Sequence, residues 1–209
     1  TRSGSVLGES DGELAGKVVE IATGSSEGEL LMAEQLLVAD DLSILALGSV
    51  QVSLEVDSLL LETKAAGDVR IVGKGLLELK EVIVKSGAFR AEADSLDVNL
   101  LRLLGDEDDA ELIGATGDVR IGTVDMGTGG DVVLKAGEAV SMLNSNGELS
   151  ADALSLTAVK GIAITTDVAS LVGEVTGVGQ FSVVEKNDLT VQHIRVASGS
   201  LSLSAGGAV

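Results

Sequence analysis

Gly67-Asp68-Val69-Arg70-Ile71 returns letter for letter as Gly117-Asp118-Val119-Arg120-Ile121. A looser form of the same unit, a Gly leading into alternating polar and apolar residues, recurs along the chain. It is seen at Gly48-Ser49-Val50-Gln51-Val52-Ser53-Leu54, Gly87-Ala88-Phe89-Arg90-Ala91, Gly130-Asp131-Val132-Val133-Leu134, Gly179-Gln180-Phe181-Ser182-Val183 and Gly199-Ser200-Leu201-Ser202-Leu203. Successive starts are often about 20 residues apart, or about 30 where a loop is inserted, which is the range of solenoid repeats. Inside each unit the period is two. Val50, Val52, Leu54 and Val56 alternate with Gln51, Ser53 and Glu55, which sends one set of side chains inward and the other outward on a strand.

Most units hold two such runs with a small or acidic break between them, as in Phe89-Arg90-Ala91 followed by Leu96-Asp97-Val98. A coil of about 20 residues, made of short strands with Gly at the corners, is what a parallel β-helix requires. The fold class expected is therefore all-β, a β-solenoid with coils of about 20–30 residues. Residues 1–209 read as a single solenoid segment. The stretch 1–47 is less regular, and 104–114 is an acidic loop insertion. Thr1 is not an initiator Met, and a further strand would be expected after Gly206-Gly207-Ala208-Val209, so the chain reads as a piece of a longer repeat protein. Leu30 to Leu42 and Leu100 to Leu112 show helix-like spacing of apolar residues, although the pattern around them favours strands. Asn146-Gly147 is a hairpin signal that keeps an antiparallel sandwich as the rival fold. Against the sandwich stands the lack of aromatic cross-strand pairs and of Pro-containing turns.

Composition agrees with a thin, stacked interior. The chain has 27 Gly, no Pro, no Cys, no Trp, no Tyr, and only Phe89 and Phe181 as aromatics. Leu, Val, Ile and Ala must then fill the core, with both Phe side chains inward, and Cys-based chemistry or zinc sites are excluded. Lys and Arg number 14 against 33 Asp and Glu, a net charge of -19. Such a surface offers no electropositive stripe and no stacking platform for nucleic acid. No apolar run approaches the roughly 18 residues of a membrane span.

Candidate sites are sparse. Asp106, Asp108, Asp109 and Glu111 form the densest carboxylate cluster, a candidate ligand set for Ca²⁺, although the run lacks the spacing of an EF-hand loop and its plain reading is a solvated loop. His193, the only histidine, falls where the inward parity of Leu189 and Val191 passes to Ile194 and Val196, which reads as a solvent-facing corner. No nucleophile or carboxylate partner for it is evident. Asp68 with Arg70, and Asp118 with Arg120, are a possible polysaccharide-processing face, or else charge pairs between stacked coils. Phosphate loops, Ser elbows and His-x-x-x-His pairs are absent from the sequence, so no catalytic or cofactor-binding residue is assigned.

Gly161-Ile162-Ala163-Ile164, Val168-Ala169-Ser170-Leu171, Thr176-Gly177-Val178-Gly179-Gln180-Phe181-Ser182-Val183 and Asp188-Leu189-Thr190-Val191 resemble the repeats of filamentous-haemagglutinin-like bacterial adhesins, from about Gly48 onward. The resemblance implies a right-handed parallel β-helix serving as an extracellular stalk at the cell surface. It implies adhesive contact with host, neighbouring-cell or matrix surfaces, with other coils or copies stacked end to end, and no enzymatic activity. The alternatives kept open are a β-helix polysaccharide-processing enzyme and a carbohydrate-binding module.

Overall fold

A computed structural model describes residues 6–7, 14–22, 30–127 and 129–209. The first strands are β1 (Val6–Leu7), β2 (Leu14–Ala22), β3 (Leu30–Ala46), β4 (Val50–Thr63), β5 (Val69–Gly73) and β6 (Leu76–Val84). They are followed by β7 (Phe89–Ala93), β8 (Ser95–Leu103), β9 (Ala110–Gly114), β10 (Val119–Asp125), β11 (Val132–Ala136) and β12 (Ala139–Met142). The chain continues through β13 (Glu148–Ala158), β14 (Gly161–Val178), β15 (Phe181–Glu185), β16 (Thr190–Ser198) and β17 (Leu201–Ala205). These strands pair in parallel and stack as a β-solenoid of about 9 turns. No helix occurs among the described residues.

The register follows from the sequence period. On one face Leu30, Val50, Val69, Phe89, Ala110, Val132, Leu154 and Leu171 lie directly over one another, one per coil. On a second face Leu77, Leu96, Val119, Val140, Ile162 and Phe181 form another file, and Leu61, Val82, Leu101, Val124 and Leu149 stack on a third. Every residue in these files is buried. Because polar and apolar residues alternate, a slip of one residue would turn any of these files outward, so burial fixes the register. The two Phe rings belong to different files. Phe181 fits because Gly173 lies across the narrow interior, where an added Cβ would come within 2.2 Å of the ring.

Gly also allows the corners to stack closely. Gly87 has φ 119°. A Cβ on it would lie 2.5 Å from the carbonyl oxygen of Gly67, one coil below. A side chain at Gly87 would therefore be strained twice over, by its backbone angle and by its neighbour.

Several expectations change in detail. The stretch 30–46 is one long strand, and 100–103 completes β8, so neither apolar run is a helix. The acidic loop occupies 104–109, and residues 110–114 form the core strand β9. Asn146-Gly147 does not close a hairpin. β12 and β13 both run parallel to β10 and β14, and the turn between them is a corner within one coil. The part of the irregular stretch 1–47 outside residues 6–7, 14–22 and 30–47 lies outside the described residues.

Candidate functional site

The two copies of Gly-Asp-Val-Arg-Ile are on different faces. Val69 pairs with Val50 and Phe89 in the first file, whereas Val119 pairs with Leu96 and Val140 in the second. Asp68-Arg70 and Asp118-Arg120 therefore do not share a cleft. What they share is a corner function of the aspartate. Asp68 Oδ1 accepts the backbone N–H of Ala88 at 3.0 Å, and Asp118 Oδ1 accepts that of Ala139 at 3.0 Å. In each case the donor is about one coil further along the chain.

The same device recurs elsewhere. Asp109 accepts the N–H of Asp131, Asp131 that of Ala153, and Asp188 that of Ala208. At a corner the ladder bends, and its N–H groups need another acceptor. A short side chain carrying two acceptor oxygens supplies one without leaving the corner.

The arginines of the two copies differ. Arg120 makes two hydrogen bonds to Asp97, one coil earlier, and this contact holds the guanidinium pKa above its ordinary value. Arg70 lies over Gln51 and under Arg90. Arg90 pairs with Glu92 and Glu111, and Glu111 also binds Lys135, which makes a charged ladder across three coils. On another part of the surface Lys80 and Ser58 donate to Asp41. The Lys80 contact, then that of Ser58, lowers the carboxyl pKa of Asp41, and Asp41 in turn raises that of Lys80.

The carboxylates proposed for Ca²⁺ are dispersed. Asp109 is engaged with the Asp131 backbone, and Glu111 with Arg90 and Lys135. Asp108 packs over Gly105 with Oδ2 buried and, among the described residues, without a hydrogen-bond partner. Asp106 is exposed. Among the described residues, no three His, Cys, Asp or Glu side chains converge on a centre that could hold a metal ion. His193 is exposed but lies within a strand. Leu171 pairs with Val191 and Val172 with His193, so Gln192 is the extra residue of a β-bulge, and the parity break is a bulge and not a corner.

A cleft of about 580 Å³ opens where successive corners meet, lined among others by Gly127, Ser150, Asp152, Asp167, Lys186 and Asp188. Lys186 reaches Glu148, which raises the pKa of the lysine, and Asn187 donates to Asp167. Behind this cleft lies a group that reading the sequence for chemistry passed over. Glu185 is buried, with Oε2 accepting from Thr166 Oγ1 at 2.8 Å and from the Val168 N–H at 3.0 Å. Its Oε1 accepts from the Asn187 N–H at 3.0 Å. The signal was present in the parity, since Phe181, Val183 and Glu185 occupy one alternating set, as do Ile162, Ile164 and Thr166. A carboxylate that shares the inward set must find its hydrogen bonds inside, and this one does.

Together the stacked files, corner aspartates and coil-to-coil ion pairs define a parallel β-solenoid of repeat-like architecture. No protein-family model, no curated protein and no solved structure matches the chain. No helix among the described residues is long and apolar enough to cross a membrane.

Proposed function

We propose that this chain is a structural and adhesive stalk segment of a large bacterial surface protein, non-enzymatic and extracellular. One observation carries the reading: most of the described lysines and arginines on the outer faces form ion pairs with a carboxylate of another coil. Arg120 to Asp97, Arg90 to Glu111 and Lys135 to Glu111 each tie neighbouring coils. Such ties stiffen the stack along its axis. About 9 turns at about 4.8 Å each give a rod of about 40 Å. In this reading the solenoid supplies reach and rigidity, and its outer faces touch a host, neighbouring-cell or matrix surface.

The last coil suits continuation by further coils or by another copy. Val191, Ile194, Val196 and Leu203 pack only partly against the core, and Leu201, in file with Phe181, is 57% exposed. The test is retention of beads coated with the chain on bacterial and animal cell layers, with beads coated by an unrelated protein of equal negative charge as reference. Retention above the reference supports the adhesive role. Retention equal to it, or release of uronate from acidic polysaccharides by the chain, overturns the reading in favour of a spacer or an enzyme respectively.

A further inference from the structure

The Asn146-Gly147 corner has a chemistry independent of any stalk role. Gly147 is fixed by packing. A Cβ at this position would lie 2.4 Å from the carbonyl oxygen of Gly122 in the coil below and 2.6 Å from Met142 Cε, so no larger residue fits without displacing backbone. Asn146 precedes it at the tip of the turn between β12 and β13, exposed to solvent. Its own N–H donates to Asn144 Oδ1 at 3.0 Å. Among the described residues no hydrogen bond is found for its side-chain amide. The other three asparagines are tied by theirs: Asn99 to Glu78, Asn187 to Asp167, and Asn144 to the Asn146 backbone. The Gly147 N–H makes one long hydrogen bond, 3.3 Å to the Asn144 carbonyl.

We infer that Asn146 is a site of spontaneous deamidation through a succinimide formed with Gly147. Once deprotonated, the Gly147 backbone nitrogen attacks Asn146 Cγ. The N–Cγ bond forms, the Cγ–Nδ2 bond breaks, and ammonia leaves with the proton removed from the amide. No oxidation or reduction is involved. Water then opens the ring. Addition at Cγ gives an aspartyl residue, and addition at the main-chain carbonyl gives an isoaspartyl residue, with the former side-chain methylene now in the backbone. Gly favours the attack because no Cβ obstructs the nitrogen, and Asn is among the residues that limit thermal lifetime. Either product adds a carboxylate two positions from Glu148, which holds Lys186. The isoaspartyl product also lengthens the chain just before β13, whose Glu148 and Leu149 are in register with Thr123 and Val124 of β10.

The experiment is incubation of the folded 209-residue chain in mildly alkaline buffer, with peptide-level mass spectrometry that separates aspartyl from isoaspartyl products. The expected result is a gain of one mass unit at position 146, faster at higher pH. It should precede conversion of Asn99, Asn144 and Asn187 by at least about tenfold, equivalent to about 1.4 kcal/mol in barrier. Asn146→Ser should abolish this gain. Conversion at 146 no faster than at the other three, or conversion only when the chain is unfolded in urea, overturns the inference.

Discussion

Asp109 Oδ1 lies 3.0 Å from the backbone nitrogen of Asp131, one coil further along, and Asp131 Oδ1 lies 3.0 Å from that of Ala153, one coil beyond. The two aspartates form a staircase in which each side chain completes the corner above it. The backbone ladder runs the other way, with the Ala110 N–H donating to the Asp131 carbonyl. Each step is thus held by both main chain and side chain.

Asp131→Ala removes the acceptor of the Ala153 N–H at an exposed corner, and water replaces part of what is lost. The expected destabilisation is about 0.5–1.5 kcal/mol, the usual net worth of one hydrogen bond. Urea unfolding measures it, and Asp131→Asn, which keeps an acceptor oxygen, should lose less.

Gly173→Ala places a methyl group against Phe181 in a closed interior. The expected cost is about 1–3 kcal/mol, typical of overpacking. Combining it with Phe181→Leu, which vacates the contested space, should cost less than the two single changes added together, as residues in contact are coupled. Additive costs in a double-mutant cycle would contradict the contact.

Position within a file should decide the cost of truncation. Leu96 is fully buried between Leu77 and Val119, so Leu96→Ala should destabilise by about 2–5 kcal/mol. Leu201 belongs to the same file but is 57% exposed, so Leu201→Ala should stay within about 0.5 kcal/mol. Equal losses in thermal or chemical unfolding would show that the last coil is covered in solution.

The Asp41–Lys80 contact should show opposite pH limits. The folded Asp41 carboxyl titrates below its ordinary 3.8, so its contribution to stability is present above that value and is lost as pH falls through the lowered one. Lys80 titrates above its ordinary 10.5, so its contribution is present below that value and is lost as pH rises through the raised one. The stability difference between the parent and Asp41→Asn should therefore be flat across neutral pH and shrink at both extremes. Both groups are solvent-exposed, so added salt should reduce the difference.

Much of the architecture could be read along the chain. Alternation at Val50–Val56 and at Leu201–Leu203 marked strands and their inward sets, and the recurring Gly marked corners. Phe89 and Phe181, with no other aromatic in the chain, had to be inward, and both are buried. The bulge at Gln192 was visible as a break in parity, but one extra residue looks the same in sequence whether the strand bends at a corner or continues past a bulge. The Leu30–Leu42 run was ambiguous because Leu and Ala repeat often enough to satisfy either period.

The sequence by itself determined the inward side of each strand and the approximate length of a coil, because side-chain alternation is a local property of extended backbone. Only the tertiary structure decided which face each strand joins. The copies of Gly-Asp-Val-Arg-Ile start at residues 67 and 117, while Val50, Val69, Phe89, Ala110 and Val132 succeed one another in file after 19, 20, 21 and 22 residues. The second copy therefore falls partway round a coil and joins a different face. That position depends on the summed lengths of the intervening corners and on hydrogen bonds to the coils above and below, which no single stretch of sequence contains. The same nonlocal sum places Asp109 under Asp131 and pairs Arg120 with Asp97.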